Sequence, residues 1–281
     1  MLARSLITRR TNMIALMTGD MSNPHYARTI NAFSLGLQAR GLHVLLFSLI
    51  DGQSVEEAVE EVLKYRIDGV IMISAALSAD VGEVCAKVGV PVVLYNRYVR
   101  QQNISSVRIE NFECGGRIAD LLVDLDHDRI AFIAGTRVDP TSSDREAGFI
   151  HRLAERGMKI IARAEGDFTF DGGGDAMRAL LDEARPTAVF AASDLMAFGA
   201  MDTARHALGL KVPDDISFVG FDDLPTAAWP SYDLTTIRQP VEIMAEAALN
   251  LLLERIANAS VQPKTMLVPG ELVVRGSVAK R

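Results

Sequence analysis

Apolar residues along this chain fall into two alternating patterns, short continuous runs and longer stretches with an apolar position every third or fourth residue. The runs at 13–18, 44–49, 70–74 and 92–95 predict strands buried on both faces. The periodic stretches at 26–40, 54–65 and 81–88 predict helices between them. Gly41 is placed to close the first helix, and Ser54 with Glu57 forms a capping-box pattern at the second. A short strand over 107–109 then leads into a helix over 112–122. A second series starts near Arg129, with strands at 130–134, 160–164, 188–191 and 216–220 and helices at 143–156, 174–183 and 195–208. A last helix over 241–258 precedes an extended 265–274 that Pro269-Gly270 interrupts.

Strands alternating with helices through short connections imply parallel α/β structure. The same rhythm runs twice, so the expected architecture is two Rossmann-like lobes, each a parallel sheet flanked by helices. The terminal helix and strand are left over after the second series and can return to complete both. The expected division is 1–11 as a linker, 12–111 with 240–268 as the first lobe, and 112–238 with 269–281 as the second. No low-complexity linker intervenes, so short hinge strands are expected to join them.

Composition narrows the function. The longest apolar runs, such as 88–95, are interrupted and too short to span a bilayer. The start of the chain is basic, but no apolar signal core follows before Arg9-Arg10, so a cytoplasmic protein away from membranes is expected. A net charge of −7 argues against the body wrapping nucleic acid. Arg4, Arg9 and Arg10 all precede the first acidic residue, Asp20, which confines basic character to the extreme amino end. Cys85 and Cys114 read as separate reduced thiols, and His25, His43, His127, His151 and His206 lack metal-ligand spacing. No metal or cofactor is expected. Gly172-Gly173-Gly174 lacks the residues of a phosphate loop and reads as a flexible start to a helix. Asp194 reads as a helix N-cap.

The segments after strand ends hold an unusual polar set: Asn23-Pro24-His25-Tyr26, Asn96-Arg97, Arg145, Phe168, Ser193, Asp222 and, in the final crossover, Gln239. Taken singly, each has an ordinary explanation as a cap, a core residue or a solvated charge. Together they describe a cleft of amide, guanidinium and carboxylate groups with Tyr26 and Phe168 as apolar faces. That suits a hydroxyl-rich ligand at the carboxyl ends of the strands.

The run from Asp215 to Pro240 resembles the corresponding run of the LacI/GalR family of bacterial transcription regulators. Thr8-Arg9-Arg10-Thr11-Asn12, Arg145-Glu146-Ala147-Gly148-Phe149, Gly166-Asp167-Phe168 and Ser193-Asp194-Leu195-Met196-Ala197-Phe198-Gly199-Ala200 extend the likeness along essentially the whole chain. The resemblance implies a periplasmic-binding-protein type I fold, no catalysis, a homodimer, and a small-molecule effector, such as a monosaccharide or related polyol, in the cleft between the lobes. By resemblance, Asn23, Tyr26, Asn96, Arg97, Arg145, Phe168, Ser193, Asp222 and Gln239 fall at ligand-contact positions. His25, Asn96, Ser193 and Glu110 depart from the residues usual there. Ala3-Arg4-Ser5-Leu6 would be the remnant of the hinge helix that, in a complete regulator, links a helix-turn-helix headpiece to this core, with Arg4 and Leu6 facing operator DNA. The rivals are a stand-alone sugar-binding protein without DNA function and a sugar-modifying enzyme using Asp222 and Asp223.

Overall fold

Ile14, Ala15, Leu16 and Met17 have no exposed surface, as a strand inside a parallel sheet covered on both faces requires. The computed structural model describes residues 10–19, 21, 23–49, 54–73, 85, 87, 89–98, 104–136 and 139–281. Arg4, Leu6, Thr8, Arg9 and most of the helix expected over 81–88 lie outside the described residues. The chain divides into two compact units, Met1–Ile109 with Pro240–Val268 and Glu110–Gln239 with Pro269–Arg281.

The first unit contains β1 (Met13–Thr18), α1 (Pro24–Gln38), β2 (His43–Ser48), α2 (Val55–Leu63), β3 (Gly69–Ile73), β4 (Val92–Tyr95) and β5 (Ser105–Ile109). The second continues with α3 (Asn111–Asp124), β6 (Ile130–Ala134), α4 (Pro140–Glu155), β7 (Ala162–Glu165), α5 (Phe170–Glu183), β8 (Ala188–Ala191) and α6 (Asp194–Asp202). It then adds β9 (Ser217–Val219) and β10 (Thr236–Arg238). Helix α7 (Val241–Ala257) and β11 (Thr265–Val268) return to the first unit, and β12 (Glu271–Val273) to the second.

Among the described residues the first unit's sheet runs β11-β5-β4-β3-β1-β2, with every pairing parallel. The second unit's parallel sheet runs β7-β6-β8-β9. β10 pairs antiparallel with β12 and continues beside β9 through the Val219–Thr235 and Asp222–Arg238 bridges. Strand order reverses between β1 and β3 in one unit and between β6 and β8 in the other. In doubly wound sheets, ligands bind outside the carboxyl ends of strands at such reversals.

Helix starts follow from local chemistry. The Ser54–Glu57 capping box forms on both sides, as the spacing predicts. Helix α4 begins earlier than its apolar period indicates, at Pro140 directly after Asp139, whose carboxylate accepts from Thr141 N–H (2.7 Å) and Ser142 N–H (3.2 Å). Arg145 therefore sits in the second turn and does not open the helix.

Two further expectations are corrected by packing. Gly172, Gly173 and Gly174 lie within α5, and a Cβ on Gly173 would overlap the Met196 backbone of α6, so the triplet serves close helix contact. The helix expected over 195–208 is α6 followed by a π turn, Thr203–Ala207, marked by Leu208 N–H donating to Thr203 O at 3.1 Å. Behind the second unit's site, Phe132, Phe149 and Phe190 are fully buried, with ring centroids 5.0 to 6.0 Å apart. Among the described residues, no helix is long and apolar enough to cross a membrane.

Candidate functional site

In the second unit the carboxyl ends of β6, β8 and β9 converge on Arg145. Its Nε donates to Asn111 Oδ1 at 2.8 Å and its Nη1 to the Ala192 carbonyl at 2.5 Å. The guanidinium carbon stands 3.6 Å from the Phe221 ring centroid, a cation–π geometry. Nη1 is also 3.9 Å from Asp222 Oδ1. Gln239 Nε2 donates to that same oxygen at 2.6 Å, and Gln239 has no exposed surface. Arg145, Asp222 and Gln239, three of the residues singled out in the sequence, thus lie together in one buried group.

Asp222 is presented on strained backbone. Its φ of 130° is a value that L side chains avoid, at a cost on the order of 1–3 kcal/mol, and Asp223 follows at φ 52°, in the left-handed region that a short polar side chain tolerates. The corner is held by Asp222 N–H donating to Ile237 O at 2.9 Å. Asp223 is bound from the other side by Arg238 Nε and Arg275 Nη2, both at 2.6 Å. Two guanidinium groups therefore occupy Asp223, and the pair does not form the proton-sharing dyad that an Asp222–Asp223 enzyme would need.

Ser193 caps α6, its hydroxyl accepting from Met196 N–H at 3.4 Å. Asp194, expected as the cap, is the first helical residue and fully buried. Its Oδ2 accepts from Leu224 N–H at 2.8 Å, and its Oδ1 lies 2.5 Å from the Thr236 hydroxyl. Burial, with the neighbouring Asp222 charge second, pushes its carboxyl up to about 8. Phe168, at φ 58°, lies half-buried against Gly135 after β6, where a Cβ on the glycine would overlap its ring.

In the first unit, β1 delivers Asn23 and Tyr26, and β4 delivers Asn96 and Arg97, to the same sheet end. Asn23 caps α1, accepting from His25 N–H at 2.9 Å, and Pro24 occupies the first turn. The His25 and Tyr26 rings meet edge-on at 5.8 Å. Asn96 adopts φ 55°, which a short amide tolerates, and its N–H donates to Val107 O at 2.7 Å. Tyr26, Asn96 and Arg97 are half-buried. Among the described residues, Thr18 Oγ1 at the end of β1 and Asn111 Nδ2 beside Arg145 are buried without a hydrogen-bond partner.

Sequence reasoning left out Asn111, Asp194, Phe221 and Thr236. In the sequence Glu110 stands out only as a departure from the residue usual in the family, and only the fold brings its neighbour Asn111 onto Arg145. Among the described residues, no group of three or more His, Cys, Asp or Glu side chains is placed to hold a metal ion.

Residues 119–278 match the family of periplasmic binding protein-like domains. The chain is 33% identical to the HTH-type transcriptional regulator CelR of Thermobifida fusca, over 98% of this chain and 84% of that protein. A solved complex of the transcriptional regulator CelR with cellobiose shares its fold at a TM-score of 0.87 and 32% identity, covering 95% of this chain and 85% of that one. The lac repressor dimer bound to operator and the anti-inducer ONPF gives a TM-score of 0.88 at 27% identity, covering 99% and 98%. These relatives are regulators of transcription, not enzymes.

Proposed function

The chain belongs to the LacI/GalR family of transcription regulators as its effector-binding core, and from that premise we propose that it senses a small neutral saccharide or polyol in the cytoplasm and works as a homodimer. The polar groups at the carboxyl ends of the strands act on the ligand, and binding biases which of two conformations the protein holds. A ligand can do this only through its differential affinity for the two. In a regulator that carries a helix-turn-helix headpiece ahead of Met1, the shift changes operator affinity.

The observation that carries this reading is the Arg145 group. A buried guanidinium is balanced by Asp222 and anchored by Asn111 and the Ala192 carbonyl. Its charge is therefore met within the protein, which favours ligands offering hydroxyl groups over ligands bringing their own anion. The cellobiose bound to the CelR relative is consistent with that chemistry.

Thermal unfolding against a panel of neutral saccharides, sugar acids and sugar phosphates, cellobiose and glucose included, tests it. A neutral member should raise the midpoint, and at a hundredfold excess over its dissociation constant the gain is about 2.7 kcal/mol. Stabilisation by sugar phosphates alone would overturn the neutral-ligand reading. Conversion of a bound sugar to product would favour the enzyme alternative instead.

A further inference from the structure

Asp194 touches the corner that presents Asp222 at several points. Its N–H donates to Phe221 O at 2.7 Å, and its Oδ2 receives Leu224 N–H at 2.8 Å. Its Oδ1 reaches Thr236 of β10 at 2.5 Å, and a Cβ on Gly220 would overlap that same oxygen. The strained Asp222-Asp223 pair runs between these contacts. One residue therefore fastens both ends of the corner, through its backbone at Phe221 and its side chain at Leu224, and ties in the neighbouring strand through Thr236.

The charged groups around it do not favour an anion. The carboxylates of Asp222 and Asp223 face it, while the nearby cations are engaged elsewhere. Arg145 is spent on Asn111, Ala192 and Asp222, and Arg238 and Arg275 on Asp223. Among the described residues, no cation lies within ion-pair distance of Asp194, which has no exposed surface. A carboxylate in that setting carries a large desolvation cost that its hydrogen bonds with Leu224 and Thr236 offset only in part. A neutral acid satisfies the same geometry, because its carbonyl oxygen accepts from Leu224 and its hydroxyl donates to Thr236, whose oxygen can accept.

From this geometry we infer that Asp194 is a positioning residue of the ligand site that works as a neutral acid, clamping the strained corner on which Asp222 is held. The upward shift of its carboxyl agrees with the geometry. The consequence for ligand affinity rests on the saccharide reading above; the clamp and its proton do not.

Carboxyl-labelled aspartate and carbon NMR, with the Asp194 signal identified by its loss in Asp194→Asn, test the proton directly and need no ligand. The signal should hold its protonated position through neutral pH and titrate near 8. Titration in the ordinary carboxylate range would overturn the inference. Trp229, the sole tryptophan, follows the clamped Leu224 and provides a second readout through its emission. Asp194→Asn can accept from Leu224 and donate to Thr236, so its emission and unfolding midpoint should match the parent, whereas Asp194→Ala and Thr236→Val should shift both. Asparagine as disruptive as alanine would also overturn it. With a saccharide that binds the parent, Asp194→Ala should weaken affinity at least about tenfold and Asp194→Asn should restore it. If no saccharide binds, the functional reading fails while the titration still decides the clamp.

Discussion

The Arg145 guanidinium and the Asp222 carboxylate lie 3.9 Å apart, with side chains 3% and 5% exposed, and the closer partner of each is a different group. Arg145 bonds the Ala192 carbonyl and Asp222 receives Gln239. The two charges balance without closing on each other, which leaves both able to meet a ligand.

Arg145→Met removes the cation while keeping an apolar stem over Phe221. Asp222 is then buried beside no positive charge, and the Ala192 carbonyl and Asn111 amide oxygen each lose a donor. Loss of one member of a buried pair typically costs about 3–5 kcal/mol. The urea midpoint should fall accordingly, and an unchanged midpoint would mean the pair is not felt in the folded state.

The two adjacent aspartates should separate by role. Asp222→Asn keeps an acceptor for Gln239 but loses the charge that a ligand hydroxyl would meet. Saccharide affinity should drop by about 1.5–3 kcal/mol, measured calorimetrically, and stability should fall as well, because Arg145 is left buried without its counter-charge. Asp223→Asn strips the charge that Arg238 and Arg275 share, so it should lower the unfolding midpoint and leave affinity within about threefold. Equal effects of both on affinity would show that they act as one unit.

Helices α3 and α4 meet through glycine. A Cβ on Gly148 would overlap the Phe112 carbonyl, which is backbone and cannot rotate aside. Gly148→Ala should therefore cost about 1–3 kcal/mol and lower the melting temperature by several degrees. Gly157, at φ 73° with open space around its Cβ position, should lose only the left-handed backbone penalty on becoming alanine, about 1–2 kcal/mol.

His127 is buried between the Thr187 hydroxyl and the Ala279 carbonyl, and burial holds its pKa below the usual 6.5. The unfolded chain therefore binds the proton first as pH falls. Stability is intact above about pH 7 and declines as pH drops below 6.5 until the folded-state pKa is reached. His127→Gln, which cannot titrate, should flatten the part of the pH profile that differs from the parent below 6.5. A wild-type-like acid slope in that variant would assign the effect to other groups.

Most strands were legible because each is a continuous apolar run bounded by turn residues, and β1, β4, β6 and β8 form where those runs lie. Arg145, Asp222 and Gln239 were legible as candidate site residues because each follows a strand end or lies in the crossover. Asp194 was not. A Ser-Asp pair before an apolar helix offers two plausible caps, and the partners that settle its role, Leu224 and Thr236, are 30 and 42 residues away. Gly172-Gly173-Gly174 misled for a similar reason, since a glycine required by close helix contact looks in sequence like one supplying flexibility. The start of α4 is set by the Asp139 cap and Pro140, which lie ahead of the apolar period and outside the 143–156 span that the period marks.

The order in which the chain is made has a consequence for how it folds. Edge strand β11 and helix α7, which packs on β3, β4 and β5, are contributed by residues 241–268, while β12 follows them into the second unit. A ribosome that has released only residues up to Gln239 has therefore emitted a first unit whose β5 edge and helix-covered face are still bare. Contacts this distant in sequence close slowly, and the exposed strand edge is a surface for mispairing in the interval. Nascent chains of this protein should thus depend on holding factors until translation has passed Val268, and truncations between Gln239 and Val268 should aggregate and not yield a soluble first unit.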